Sequence, residues 1–412
     1  MRRSRVQFPP RALIKLVIMN SRQLRFAVHR RFDWVLIFLG SFIVLLMRSR
    51  ASIQKFPADP GYDYLISAYQ EGIFSWFDLE PYVHFVGHFL SWLVLFTPIE
   101  MQAFSLSIIV HLCWSLTALG TYVVLKHEGL PMIVSVFSSL SISLCPAAAE
   151  SSLANVGNVK WQMLIFAIFL GASELTTHFP RLTSIYFFLT GLTNPLSFLI
   201  LLPLSFSFCL RTKNQQKKFL TPMLTLTFSC LIQILIVGSS GLSGGGRTKV
   251  LLPWPDMGLF WWFGLISPSA ICLTVLLVNQ IFQFHPTSSI IQGVITMGPI
   301  LAIFSYAYGG IADRYFVAPM TISWFAATSL VYDLAIRLKS FYRIGLIVLA
   351  ILLFSIPMVK WFSSSWFLTA GDYWSREVKR AKSECQSGRE FAILTIGSES
   401  KLKLSCSYIL QD

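Results

Sequence analysis

Ten apolar runs, separated by short polar segments, set the rhythm of the chain. The first spans Trp34 to Met47, and the rest centre on 101–125, 130–147, 161–177, 182–210, 219–238, 258–279, 288–308, 315–335 and 343–359. A helix needs about 20 predominantly apolar residues to cross a bilayer, so most runs predict one crossing each. The run 182–210 is 29 residues long and interrupted by Gly191-Leu-Thr-Asn194-Pro195. It is too long for one straight span and predicts a hairpin of two short helices turning at Asn194-Pro195. Residues 84–98 are also apolar; they are read as lying along the outer surface rather than crossing. The pattern therefore predicts an all-α polytopic membrane protein of about 11 transmembrane helices. A competing arrangement, in which 84–98 crosses and 182–210 crosses once, gives the same count.

The stretch 49–100 breaks the rhythm. Five acids, Asp59, Asp63, Glu71, Asp78 and Glu80, fall between residues 49 and 82, out of 19 in the whole chain. Tyr62, Tyr64, Tyr69, Trp76 and Tyr82 are interleaved with them, and His84 and His88 close the stretch. A polar, aromatic, acid-bearing loop on a hydrocarbon-compatible scaffold is where recognition or chemistry is expected.

Composition sharpens this. The chain of 412 residues is 54% hydrophobic and only 13% charged, with a mean hydropathy of +0.63. A soluble protein carries about 25% charged residues. A net charge of +14 would suggest nucleic acid in a soluble chain, but here topology explains it and no nucleic-acid partner is expected. Residues 1–32 hold nine Lys or Arg and no acid, the mark of a basic cytoplasmic leader, with Met1 or Met19 as the start. With that leader inside and 84–98 on the surface, Lys126, Arg181, the run 211–218 and Arg337/Lys339/Arg343 also fall inside. Eighteen of the 33 positive residues are then cytoplasmic. The competing arrangement places Lys126 and Arg181 outside and fits the charge rule less well. The expected location is a plasma membrane, multi-pass, with the N-terminus cytoplasmic and the C-terminus extracytoplasmic.

The chain divides into the leader (1–32), a transmembrane domain (33–360) that includes the outer loop 49–100, and a small α+β extracytoplasmic C-terminal domain (361–412). In that domain Trp374, Val378, Ala381 and Cys385 follow helical spacing, while FAILTI (391–396) and KLKLSCSYI (401–409) predict two strands. An outside location favours a Cys385–Cys406 disulfide over two free thiols. Closing a loop of about 20 residues stabilises such a unit by about 3 kcal/mol. The other five cysteines lie in or beside apolar runs and read as small buried hydrophobes.

Three constellations can carry chemistry. Asp59-Pro-Gly-Tyr-Asp63 is a turn holding two carboxylates beyond the first span, suited to accepting a proton or holding a divalent metal, or equally a solvated turn. Asp313-Arg314-Tyr315 offers a guanidinium fork for a phosphate or carboxylate, against a structural Asp–Arg pair or an Arg reaching to headgroups. In Glu150-Ser-Ser-Leu-Ala-Asn155-Val-Gly-Asn158-Val-Lys160-Trp161, two amides, a base and an interfacial Trp can bind a sugar, or can cap helices and line the aromatic belt. Gly241-Leu-Ser-Gly-Gly-Gly246-Arg247-Thr248 mimics a phosphate loop without the strand that should precede it. His84 and His88 share a helical face, but no zinc-protease pattern accompanies them.

PYVHFVGHFLSW (81–92), LANVGNVKW (153–161), GLTNPLSFLILLPL (191–204), DRYFVAP (313–319) and GDYWSREVKRAKSEC…KLKLSC (371–406), in that order, resemble the GT-C superfamily of polyprenyl-phosphate-sugar-dependent glycosyltransferases. The resemblance implies transfer of a sugar from a polyprenyl-phosphate donor to an extracytoplasmic envelope glycan, lipid or protein acceptor. It also implies a catalytic acid in the first outer loop, mapping to Asp59 or Asp63, and a donor-phosphate ligand at Arg314. Tyr82, His84, Asn155, Asn158, Trp161, Asn194 and Tyr315 are the candidate substrate contacts. The first loop has no clean paired-acid motif, so no metal is required by the sequence and a divalent cation stays open as a cofactor. A lipid or glycolipid flippase is the competing class, disfavoured by the lack of a visible inverted repeat. A polysaccharide polymerase or ligase is the third, for which the large outer loop would be expected later in the chain.

Overall fold

The structure, a computed structural model, describes residues 32–56, 63–77, 83–145, 153, 155–239, 294, 297–309, 313–340, 343–345, 348, 372–396 and 400–410. Most of the leader and of the run 343–359, all of the run 258–279, and the glycine-rich stretch 241–248 lie outside them. The described chain is mostly helical with one small sheet. Among the described residues, three helices are long and apolar enough to cross a membrane: Phe32–Ser49 (α1), Ile99–His127 and Lys213–Ile236.

The run 84–98 forms α3 (Phe85–Val94), ten residues or about 15 Å of helix, half the thickness of a hydrocarbon core. It has no length to cross. Next come α4 (Gln102–His127), α5 (Met132–Leu144) and α6 (Val159–Ala172). The last two, with 13 and 14 residues, are shorter than the spans their apolar runs predict. The run 161–177 breaks at Ser173, whose backbone is extended. The Glu128 carboxylate fixes that break, accepting from Ser173 Oγ at 2.6 Å and Glu174 N at 2.7 Å, and a single turn, α7 (Leu175–His178), follows.

The long run 182–210 divides at Asn194. Helix α8 (Pro180–Thr193) ends there, and Asn194 Oδ1 accepts from Leu196 N at 2.9 Å to start a tight 3₁₀ turn leading into α9 (Leu201–Leu210). The chain turns back on itself, because Glu174 just before α7 and Arg211 just after α9 form an ion pair. Both arms lie along α10 (Lys213–Ser239). A Cβ on Gly191 would collide with the Ser229 side chain, so α8 and α10 touch nearly backbone to backbone, as small residues permit in membrane bundles. One face of α10 buries Leu226, Ser229, Cys230 and Gln233, while Leu220, Leu224, Phe228, Leu231 and Leu235 form an exposed apolar stripe. A stripe of this size facing outward suits hydrocarbon, not water. Helix α10 also starts before its apolar run: the basic residues Lys213, Lys217 and Lys218 form its first turns.

Two more helices close the bundle, α11 (Met297–Gly309) and α12 (Val317–Arg337). Residues 317–327 of α12 are all buried, so this helix runs through the centre, packed on α5, α6 and α11. The C-terminal unit is α13 (Trp374–Gln386), the antiparallel pair β1 (Phe391–Ile396) and β2 (Ser400–Ser405), and a terminal turn α14 (Cys406–Ile409). Here the second predicted strand is corrected. It ends at Ser405 rather than 409, because Ser405 Oγ caps the turn by accepting from Tyr408 N. Cys406, at the start of that turn, is joined to Cys385 of α13 by a disulfide.

The molecule has two distinct ends. Lys126, Arg181, Arg211, Lys213, Lys217, Lys218 and Arg337 gather at one, where α4, α9 and α12 finish and α8 and α10 begin. The segments 48–56, 63–77, 83–101, 143–145, 155–161, 313–317, 372–396 and 400–410 gather at the other.

Candidate functional site

The end opposite the basic cluster is built around Tyr64, the second residue of α2 (Asp63–Glu71). Its ring lies 4.5 Å from the His88 ring and 5.2 Å from that of His84. Both histidines and Tyr64 are buried. The ring also presses on the loop before α6: a Cβ on Gly157 would sit 2.7 Å from Tyr64 Cε2. Only glycine lets the loop approach this closely. The backbone just before His84 is pinned from the bundle, since Gln233 Nε2 donates to Val83 O at 2.8 Å and Gln233 Oε1 accepts from Val83 N at 3.0 Å.

From Gly157 the chain enters α6. Asn155 Oδ1 accepts from Gly157 N at 2.9 Å and caps the turn. Trp161 packs edge-on against Tyr315, with ring centroids 5.7 Å apart, and the Lys160 ammonium stands 5.7 Å from the Trp161 ring. Tyr315 belongs to the 3₁₀ turn Asp313–Phe316 that opens into α12. Thus α2, the loop 155–158, the first turn of α6 and the turn 313–316 form one continuous layer.

The sequence-nominated residues fall unevenly on this layer. Asp63 is exposed at the start of α2. His84, Asn155, Asn158, Trp161 and Tyr315 are all buried within the layer. Arg314 lies in the 3₁₀ turn between Asp313 and Tyr315. Asn194 is fully buried and occupied by the fold, its Oδ1 capping the turn and its Nδ2 donating to Lys160 O at 3.0 Å. It ties the start of α6 to the turn after α8. Asp59 and Tyr82 lie outside the described residues.

Tyr64, Gln162 and Gln233 carry no role in the sequence reading, although both glutamines stand out as amides inside apolar runs. Arg48 directly follows the first apolar run. It is buried, with its guanidinium donating to Ser143 O and, at 3.0 Å, to Cys145 O. A cation on the last carbonyls of α5 offsets the negative end of that helix. Nearby Ser49 Oγ lies 2.6 Å from His111 Nε2, tying α1 to α4. Among the described residues no three His, Cys, Asp or Glu side chains gather as a metal-binding group.

The C-terminal unit docks beside this layer. Trp374, 1% exposed, donates its indole N–H to Ile99 O and stands edge-on to Phe56 at 4.9 Å. Trp374 N donates to Gln54 O at 3.0 Å, and Lys382 pairs with Glu100 at 2.5 Å. Tyr69 of α2 meets Tyr408 edge-on at 5.5 Å and donates to Gln102 Oε1. Burial, with Tyr408 beside it, holds the Tyr69 phenol well above its ordinary pKa, so it stays a donor. The first loop and the C-terminal unit therefore share one end of the molecule.

Fold and layer define a mostly helical protein with helices able to cross a membrane and a small disulfide-linked unit at one end. Neither a protein-family model nor a curated protein matches the chain.

Proposed function

We propose that the chain is a membrane glycosyltransferase of GT-C-like architecture, with about 11 spans in the full chain. It moves a sugar from a polyprenyl-phosphate donor to an envelope glycan, lipid or protein on the extracytoplasmic side. The observation that carries this reading is the shared layer: Tyr64, beside Asp63, presses on Gly157, and Trp161, one helical turn on, packs on Tyr315, beside Arg314. An acid-bearing helix and an arginine-bearing turn from opposite halves of the chain thus meet the same short segment. In this reading the layer faces the outer leaflet, which keeps the basic end cytoplasmic.

The chemistry asks for two groups. A carboxylate, Asp63 or Asp59, takes the proton from the acceptor hydroxyl as its oxygen attacks the anomeric carbon. The bond from that carbon to the donor phosphate breaks, and Arg314 stabilises the charge left on the phosphate. The test is sugar incorporation into envelope glycan in a deletion strain carrying Asp59→Asn, Asp63→Asn or Arg314→Met, with membrane levels checked by blot. One of the two aspartate variants and the arginine variant are expected to lower incorporation by about 100-fold or more, the scale of a lost general base. Full incorporation from both aspartate variants removes the acid from the mechanism.

A further inference from the structure

Helix α10 carries two kinds of residue on one outward face. At about 100° per residue, Lys213 and Lys217 fall in line with Leu220, Leu224, Phe228 and Leu231, within a stripe about 80° wide. All six are exposed. The four apolar members cover about 16 Å of helix, the hydrocarbon depth of a single leaflet. The ammoniums at the head of this stripe have no counterpart in the protein. Lys213, Lys217 and Lys218 have no ion pair or hydrogen bond among the described residues. Other cations at the same end are engaged: Lys126 donates to Leu130 O at 3.1 Å, and Arg211 pairs with Glu174. Even so, Arg211 Nε, in a side chain only 10% exposed just before α10, has no hydrogen-bond partner among the described residues. The sequence holds no acid between Glu174 and Asp256. Lys213 and Lys217 repel each other at i, i+4, and both stand at the positive end of the helix dipole. An anion supplied from outside the chain offsets this charge.

We propose that this face of α10 is a binding site for an anionic phospholipid of the leaflet on the basic side. The lipid phosphate sits between Lys213 and Lys217, with Lys218 on the flank, and one acyl chain lies along Leu220, Leu224, Phe228 and Leu231. Charge selects this occupant. A neutral lipid covers the apolar part and leaves the ammoniums unmet. A second copy of the chain, seated by the same face, brings its own lysines against these and is repelled. Lysines held close to an anionic lipid surface each favour it. The proposal uses only a helix able to cross a membrane and the charge at its start, so it stands apart from the sugar chemistry.

The test is photo-cross-linking of the purified full chain in phosphatidylcholine vesicles. Each sample holds a trace of phosphatidylglycerol or phosphatidylcholine with a diazirine on its acyl chain, and the adducts are mapped by mass spectrometry. In the wild type the phosphatidylglycerol probe is expected to label residues 220–231 about threefold or more over the phosphatidylcholine probe, as two lysines near a lipid phosphate allow. Lys213→Gln with Lys217→Gln is expected to bring the two probes level. Arg181→Gln with Lys339→Gln, which removes two exposed cations that lie off α10, is expected to keep the preference. Labelling by the phosphatidylcholine probe reports the fold of each variant. Raising salt to about 1 M, where screening acts within about 3 Å, is expected to remove the preference from the unaltered chain and needs no variant. Equal labelling by the two probes in the wild type, or a preference that survives both the lysine pair and the salt, overturns the site. Labelling by neither probe, together with a dimer cross-link through Leu224→Cys, gives the face to a second copy and overturns it as well.

Discussion

Gly191 and Gly157 are two of the positions where a missing side chain decides the packing. At Gly191 any Cβ would drive into Ser229, so Gly191→Ala is expected to destabilise the α8–α10 contact by about 1–3 kcal/mol. Adding Ser229→Gly should restore most of it; a double-mutant cycle read by thermal unfolding in detergent checks the coupling. At Gly157 the added methyl meets the Tyr64 ring, a group beside the proposed catalytic acid. Glu377 is decisive in a different way. Burial alone would raise its carboxyl pKa, but the Arg380 guanidinium at 2.8 Å and the Thr395 N–H at 2.9 Å outweigh that and hold it below the usual value. A depressed folded-state pKa adds stability at neutral pH that is lost as pH falls through that lowered value. Limited proteolysis of the C-terminal unit should therefore accelerate only below the ordinary carboxylate range. Glu377→Gln should make it labile already at pH 7 and flatten the acid limb.

At the scale of elements, the C-terminal unit is the piece whose stability can be dissected. Its helix α13 covers the inner face of the hairpin, where Ala392, Leu394, Ile396, Leu402 and Leu404 are buried. The disulfide closes a separation of 21 residues, so Cys385→Ser with Cys406→Ser should cost about 3 kcal/mol, read as a lower unfolding temperature under non-reducing conditions. Trp374 is the anchor to the body. Trp374→Ala removes an indole buried against Phe56 and Ile99, at about 3–5 kcal/mol, and should release the unit to protease while the helical bundle stays intact. The division of 182–210 was legible beforehand, because Asn194-Pro195 is a strong stop inside an apolar run. The break at Ser173 was not. It depends on a carboxylate 45 positions earlier, which no local pattern reports.

For the whole molecule, the arrangement of ends makes a topological prediction. Reporter fusions placed after Gln54 and at the C-terminus should read from the same side, since these segments touch through Trp374 and Gln54. A fusion in the run 211–218 should read from the other side. If the first two report opposite sides, the shared outer layer and the transferase reading built on it both fail.

Hydropathy and charge determined by themselves that this chain carries helices able to cross a bilayer, where its apolar runs begin and end, and where its basic residues cluster. Those properties are sums over local residues, and a membrane sorts them without reference to the fold. Tertiary structure decided what no window contains. It shortened α5 and α6, turned Asn194 and Asn155 into caps, buried Arg48 on the carbonyls of α5, and left Gln162 without a partner among the described residues. Each of these depends on which distant backbone or side chain lies within about 3 Å, the reach of a hydrogen bond.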